Sequence, residues 1–144
     1  MNREVPMKIQ VYKTLPPQAM SVRQEVFVLE QGFVDEFDDI DGMATHFVMY
    51  DQELPVATCR VFSGDIPGVY YLGRLAVLKA YRGRHLGADM VYAAEAYVRS
   101  VEGTCMMLHA QCAAAGFYEA VGYHQEGEED EEQGCPHIWM KKIL

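Results

Sequence analysis

Residues 72–90 read LGRLAVLKAYRGRHLGADM: an apolar, β-rich run from Leu72 to Val77 passes through a basic, glycine-containing turn and opens at Leu86 into a helical pattern. Glycine lets a backbone approach a ligand closely, and the first turn of a helix presents N–H groups that have no intrahelical partner. A phosphate seated there is held by those donors and by the helix dipole. Arg82 and Arg84 add charge that the backbone alone does not supply. The spacing is neither that of a P-loop nor that of a dinucleotide fingerprint, since it has no GK(S/T) and no GxGxxG. Read on residues alone, a basic turn before a helix is more often a solvated connection.

The pattern on either side sets the architecture. Downstream, Leu86, Met90, Ala94, Tyr97 and Val101 recur at helical spacing and predict an amphipathic helix from about Leu86 to Glu102, ended by Gly103. Cys105–Ala110 reads as a strand, Ala113–Val121 as a short helix, and Tyr123–Glu126 and His137–Lys142 as two closing strands flanking the acidic hairpin GEEDEEQGCP. Upstream, Lys8–Tyr12 alternates as a first strand, Pro16-Pro17 opens a helix through about Gln31, and the acidic segment 32–46 reads as a loop with at most a short helix. On that helix Arg23, Phe27 and Glu30 share one face, and Val22, Val26 and Leu29 another. His46–Tyr50 and Val56–Phe62 form a hairpin, and Val69–Val77 is the third long strand of a meander. A meander followed by strand–helix–strand–helix–strand implies an α+β, layered fold: a mixed, mostly antiparallel sheet flanked by helices.

The 144 residues fit a single domain, 1–144, with half the residues apolar and 23% charged. A net charge of −9 argues against a general nucleic-acid binder, and no apolar run approaches a membrane span. The N-terminal residues lack the apolar core of a signal peptide, so the cytoplasm is the default expectation. Cys59, Cys105, Cys112 and Cys135 form no CxxC pair, which argues for reduced thiols and against a metal site.

RGRHLGA, Arg82 to Ala88, resembles the pyrophosphate-binding motif of the GNAT superfamily of N-acetyltransferases, Arg/Gln-x-x-Gly-x-Gly/Ala. Arg82 stands at its first position and Gly87 at its last, while His85 replaces the middle glycine and Gly83 offers another flexible point. The resemblance implies that Arg82, Gly83, Arg84, His85, Leu86, Gly87 and Ala88 bind acetyl-CoA as co-substrate. LGRLAV is similar to the family's splayed fourth strand, which implies pantetheine pairing and thioester polarisation by the main chain of Leu75, Ala76 and Val77. AAAGFYEAVGY, Ala113 to Tyr123, resembles the second CoA-contacting element and implies contacts from Phe117 and Tyr118. VRQEVFVLEQ, from Val22, and GCPHIWMKK, from Gly134, are similar to the flanking motifs of a small single-domain bacterial subgroup.

Aminolysis of a thioester needs a neutral amine, a polarised carbonyl and a proton for the departing thiolate. With the resemblance, Tyr118 is the candidate acid, although spacing alone fits a core tyrosine. His137, between Pro136 and an apolar strand, is the candidate base, with a structural histidine as the plain alternative and His46, His109, Glu30 and Glu126 in reserve. A water-relayed base is a further option. Arg23 and Arg74 are candidates for gripping an anionic group on the substrate, or else form ion pairs with nearby carboxylates. The acidic runs Asp35–Asp41 and Glu126–Glu132 read as solvated loops; attraction of a cationic amine is the second reading and reverses the inferred substrate charge. The resulting expectation is an N-acetyltransferase using acetyl-CoA and a small-molecule amine, by direct attack in a ternary complex, with no metal, nucleic acid or membrane partner. A homodimer is left open. A ping-pong route through Cys112 is a minor alternative. The rivals are a catalytically silent CoA-binding regulatory module and an acyl-homoserine-lactone-type synthase.

Overall fold

The computed structural model describes residues 7–34 and 36–144. One mixed sheet runs in the order β1-β2-β3-β4-β5-β8-β6, with β7 paired to β8. Its strands are β1 (Lys8–Tyr12), β2 (Thr45–Asp51), β3 (Leu54–Ser63), β4 (Val69–Val77), β5 (Cys105–Gln111), β6 (His124–Gln125), β7 (Asp130–Glu132) and β8 (Cys135–Ile143). The β4–β5 pair is parallel and the other pairs are antiparallel. A parallel pair needs a crossover, and α2 (Leu86–Ser100) supplies it. The α2 stripe of Leu86, Met90, Val91, Ala94 and Val98 is buried against Phe47, Met49, Leu72, Met106 and Met140. Opposite it, α1 (Pro17–Arg23) and its continuation bury Val22, Val26 and Phe27 against Ala76. Leu75 and Val77 pack with the α2 side and Ala76 with the α1 side, as strand alternation requires. Among the described residues no helix is long and apolar enough to cross a membrane.

Several expectations are corrected. The first helix changes winding: Gln24–Glu30 is π-helical, with Phe33 N–H bonded to Phe27 O and Gln31 N–H to Val26 O. The wider turn shifts the phase of the buried stripe, so Val26 and Phe27 are both buried while Leu29 is exposed. Gly103 follows α2, but Glu102 takes the left-handed conformation, at φ 66°. Glycine is needed at 103 for packing, because a Cβ there would stand 2.3 Å from Val98 and 2.8 Å from Tyr70. The second acidic run is not all loop: Asp130–Glu132 is β7, laid against Cys135–His137. The 3-10 turn Asp39–Gly42 tucks Asp41 inside, and Glu36 is buried with it; Asp35 lies outside the described residues.

Those buried carboxylates meet three arginines. Arg23, 1% exposed, donates to Glu36 at 2.9 Å and to both oxygens of Asp41 at 2.7 and 3.0 Å. Arg60 binds Asp38 at 2.6 Å and Asp41 at 2.9 Å, and Arg74 binds Glu36 at 2.9 Å and Asp38 at 3.4 Å. Three positive and three negative groups thus tie α1, β3 and β4 to the loop before β2. Burial pushes the Asp41 carboxyl up, but hydrogen bonds from Arg23, the Asp38 N–H and Arg60, with the nearby Arg23 charge, outweigh it and bring it down to about 2. Burial dominates at Glu36 and raises its carboxyl despite Arg74 and Arg23.

A carboxyl depressed on folding stabilises the fold above its unfolded-state value and loses that contribution as pH falls through the folded one. Asp41→Asn is therefore expected to lower unfolding free energy by about 2–4 kcal/mol at pH 7. Urea titrations should show the gap to wild type closing between about pH 4 and pH 2, as the wild-type carboxyl protonates. A gap that stays constant over that range would refute the assignment.

Candidate active site

The β4–β5 ladder ends early. Val69–Leu72 pairs with Cys105–Leu108, and there the strands part. β4 continues beside β3, through Thr58↔Ala76 and Ala57↔Val77, while β5 stays with β8, from His109↔Trp139 to Gln111↔His137. A bulge turns β4 away: two steps of β3, Thr58 to Arg60, face three of β4, Gly73 to Ala76. Arg74 carries the strain at φ 53°, and its guanidinium is held by Glu36 and Asp38. The β5-facing edge beyond Leu72 is left without a strand partner, a ready template for an extended ligand.

Along that edge runs a groove of about 670 Å³, lined by Leu75, Ala76 and Val77, by Arg82, Gly83, His85, Leu86, Gly87 and Ala88, and by Phe117 and Tyr118 of α3 (Ala115–Ala120). Gly83 and His85 are both left-handed, at φ 82° and 61°. Histidine is among the non-glycine residues that tolerate this region, so the turn keeps its shape where a glycine would be ordinary. No side chain caps α2, leaving the first-turn N–H groups free of protein side-chain bonds. A Cβ at Gly87 would lie 3.2 Å from the Phe117 ring. These features fit a pyrophosphate and its pantetheine arm. Arg82 is engaged in the protein itself: both terminal nitrogens reach Glu30 at 2.7 Å, and Nε donates to Val77 O at 3.0 Å. The Arg82 hydrogen bonds hold the Glu30 carboxyl below its ordinary value. Arg84 does not line the groove; its guanidinium lies 5.0 Å over the Tyr81 ring.

A second cavity, of about 200 Å³, lies on the other side of the opening and shares Gln31, Leu75, Ala114 and Tyr118 with the groove. Phe27, Phe33, Leu72 and Leu108 give it apolar walls; Arg74, Glu36, His109, Glu132 and His137 give it charge and titratable groups. Gln31 bonds to Gln111 at 2.8 Å, and the Gln133 amide bonds both ways with the Val34 backbone at 2.9 and 2.7 Å, bridging its rim. The Tyr118 hydroxyl has no hydrogen-bond partner among the described residues, and burial raises its pKa, so the phenol keeps its proton at neutral pH. His137 is 4% exposed and its Nδ1–H donates to Cys135 O at 2.8 Å, leaving Nε2 as the acceptor.

The candidates named from sequence separate at this point. Tyr118, His137 and Arg74 converge on the cavity. Arg23 does not: it is buried with its guanidinium bound to Glu36 and Asp41, so the expected substrate grip is corrected to a structural ion pair. Arg74 lines the cavity, but Glu36 and Asp38 already balance its charge. Of the reserves, His46 is buried against Asp41 O and Glu30 is bound to Arg82; His109 lines the cavity. Cys112 lines neither cavity, and burial raises its thiol pKa, the opposite of what a nucleophile needs. Among the described residues no group of three or more His, Cys, Asp or Glu side chains is arranged to hold a metal. Sequence reasoning missed Gln31, Phe27 and Phe33 as lining residues, and named Glu132 only within the acidic run Glu126–Glu132. For Glu132 the usable signal was its place five residues before His137, the span of a tight hairpin.

The family described as acetyltransferase (GNAT) domain matches residues 12–144. A Bacillus subtilis protein named as an acetyltransferase is 40% identical over 129 residues, covering 86% of each chain. The crystal structure of an N-acetyltransferase from Lactobacillus plantarum has a TM-score of 0.88 at 33% identity, covering 96% of this chain and 98% of that one. An acyl-CoA N-acyltransferase from Pseudomonas aeruginosa gives 0.82 at 26% identity, over 95% and 99% of the two chains.

Because a Cβ at 87 already crowds Phe117, a branched side chain there must displace the ring into the groove or occupy the groove itself. Gly87→Val is expected to keep the melting temperature within a few degrees and to weaken CoA binding at least tenfold by calorimetry. An unchanged affinity in the folded variant would remove the pyrophosphate from this turn.

Proposed function

The chain belongs to the GNAT acetyltransferase family, and from that premise we propose that it acetylates a primary amine of a small molecule, by direct attack in a ternary complex with acetyl-CoA. The observation that carries the reading is the junction of the two cavities at Leu75, Ala114 and Tyr118. Acetyl-CoA supplies the acetyl group as a thioester whose departing sulfur is a thiolate. The free first-turn N–H groups of α2 suit its pyrophosphate, and the unpaired edge of Leu75–Val77 suits its amide-bearing arm. Glu30 holds Arg82 across the turn and so fixes the geometry of both.

On the acceptor side, His137 Nε2 removes a proton from the amine nitrogen. The C–N bond forms with that nitrogen's lone pair, and the C–S bond breaks with its electron pair on sulfur. Tyr118 Oη gives the thiolate a proton and is restored from solvent, as is His137. The cavity's small volume, about 200 Å³, supports a small-molecule acceptor.

A panel of primary amines assayed with acetyl-CoA, reading free thiol, tests the transfer; CoA binding without turnover on any amine would leave a silent CoA-binding module. Tyr118→Phe keeps the ring and removes only the hydroxyl, so it is expected to preserve CoA affinity and lower kcat about 100-fold. His137→Ala should lower kcat at least as far while leaving CoA affinity near wild type. Wild-type turnover in either variant, with chemistry rate-limiting, would take that residue out of proton transfer.

A further inference from the structure

We infer that the acceptor reaches the cavity as an ammonium cation with no carboxylate or phosphate attached, and that Glu132 selects it. The inference rests on the amine-acetylating reading above and specifies its substrate class.

The charge accounting comes first. The one arginine lining the cavity, Arg74, is not available as an anion site, because it belongs to the balanced set of Arg23, Arg60 and Arg74 with Glu36, Asp38 and Asp41. The opposite wall is different. Glu132, carried in by β7, has no Lys or Arg partner among the described residues; its Oε2 faces His137 Nε2 at 3.5 Å and His109 Nδ1 at 3.6 Å. Asp130 adds a second carboxylate behind it, 2.7 Å from His109 Nε2.

Hydrogen-bond polarity is the independent second observation. The His137 side chain is 5% exposed, its Nδ1–H is spent on Cys135 O, and Nε2 has no hydrogen bond among the described residues. The Asp130 carboxylate likewise accepts from His109 Nε2–H, which in the neutral ring leaves Nδ1 as an acceptor. One wall of the cavity therefore carries a carboxylate and two ring nitrogens with open lone pairs, all within 3.6 Å of Glu132 Oε2. An ammonium has three donors and no acceptor, and matches this set; a carboxylate has only acceptors and is repelled by it. Phe27 and Phe33 offer the remainder of the acceptor an apolar wall.

The proton balance remains complete. The ammonium gives one proton to His137 Nε2, and the freed lone pair forms the C–N bond. The nitrogen loses its second proton as the amide forms. Sulfur takes one proton on leaving, and one is released to solvent.

Binding tests the inference without relying on turnover. Calorimetry with the full chain saturated in CoA compares n-pentylamine with 5-aminopentanoate, which share the primary amine and differ in the anion. Pentylamine is expected to bind at least tenfold more tightly, and Glu132→Gln to abolish most of that preference while CoA affinity stays at the wild-type level. Equal or tighter binding of 5-aminopentanoate, or a preference that survives Glu132→Gln, overturns the inference. Replacing CoA by acetyl-CoA then tests the transfer separately: selective binding without product sustains the cation site and refutes the acetylation reading.

Discussion

The fold depends on two parallel strands that stop pairing after four residues. An interrupted ladder leaves backbone donors and acceptors at the centre of a sheet, where unpaired polar groups are unfavourable. Here the interruption is imposed by the Arg74 bulge, and the bulge is anchored from below by Glu36 and Asp38. The groove, the cavity and their junction all follow from that divergence. The buried charges therefore serve the site indirectly, through backbone shape. Their stabilising worth depends on completeness, because removing one partner leaves another charge buried and unmatched.

What the sequence made legible was local. The apolar run, basic turn and amphipathic helix of residues 72–90 follow one another without a gap, so strand, turn and helix start were readable from neighbouring residues alone. The same holds for Val69–Val77, whose ends agree with the structure, and for the β2–β3 hairpin, whose strands run one or two residues further than the sequence pattern. What stayed hidden was decided by distant partners. Arg23 reads as a helical surface cation until the loop carrying Glu36 and Asp41 folds over it. Asp130–Glu132 has poor strand propensity, and only the apolar β8 beside it makes it a strand. Nothing in QEVFVLE marks the π-helical winding of Gln24–Glu30.

The two halves of the site are built on different principles. The groove rests on backbone shape, the left-handed turn at Gly83 and His85 and the close approach at Gly87; His85 at φ 61° shows that a residue other than glycine holds that turn. The acceptor cavity presents side chains held by long-range hydrogen bonds, including the Gln31–Gln111 and Val34–Gln133 bridges. A substitution at His109 or Glu132, which line the cavity and not the groove, changes the cavity wall alone.

Trp139 is the only tryptophan in the chain, and its ring stacks on His109 at 4.7 Å, which in turn stands 4.8 Å from His137. Indole emission is quenched more strongly by an adjacent imidazolium than by a neutral imidazole. The three-ring stack consequently gives the molecule an intrinsic optical reporter. Its fluorescence reports on the surroundings of His109 and the cavity wall it lines, with no label introduced and no contribution from a second indole elsewhere in the chain.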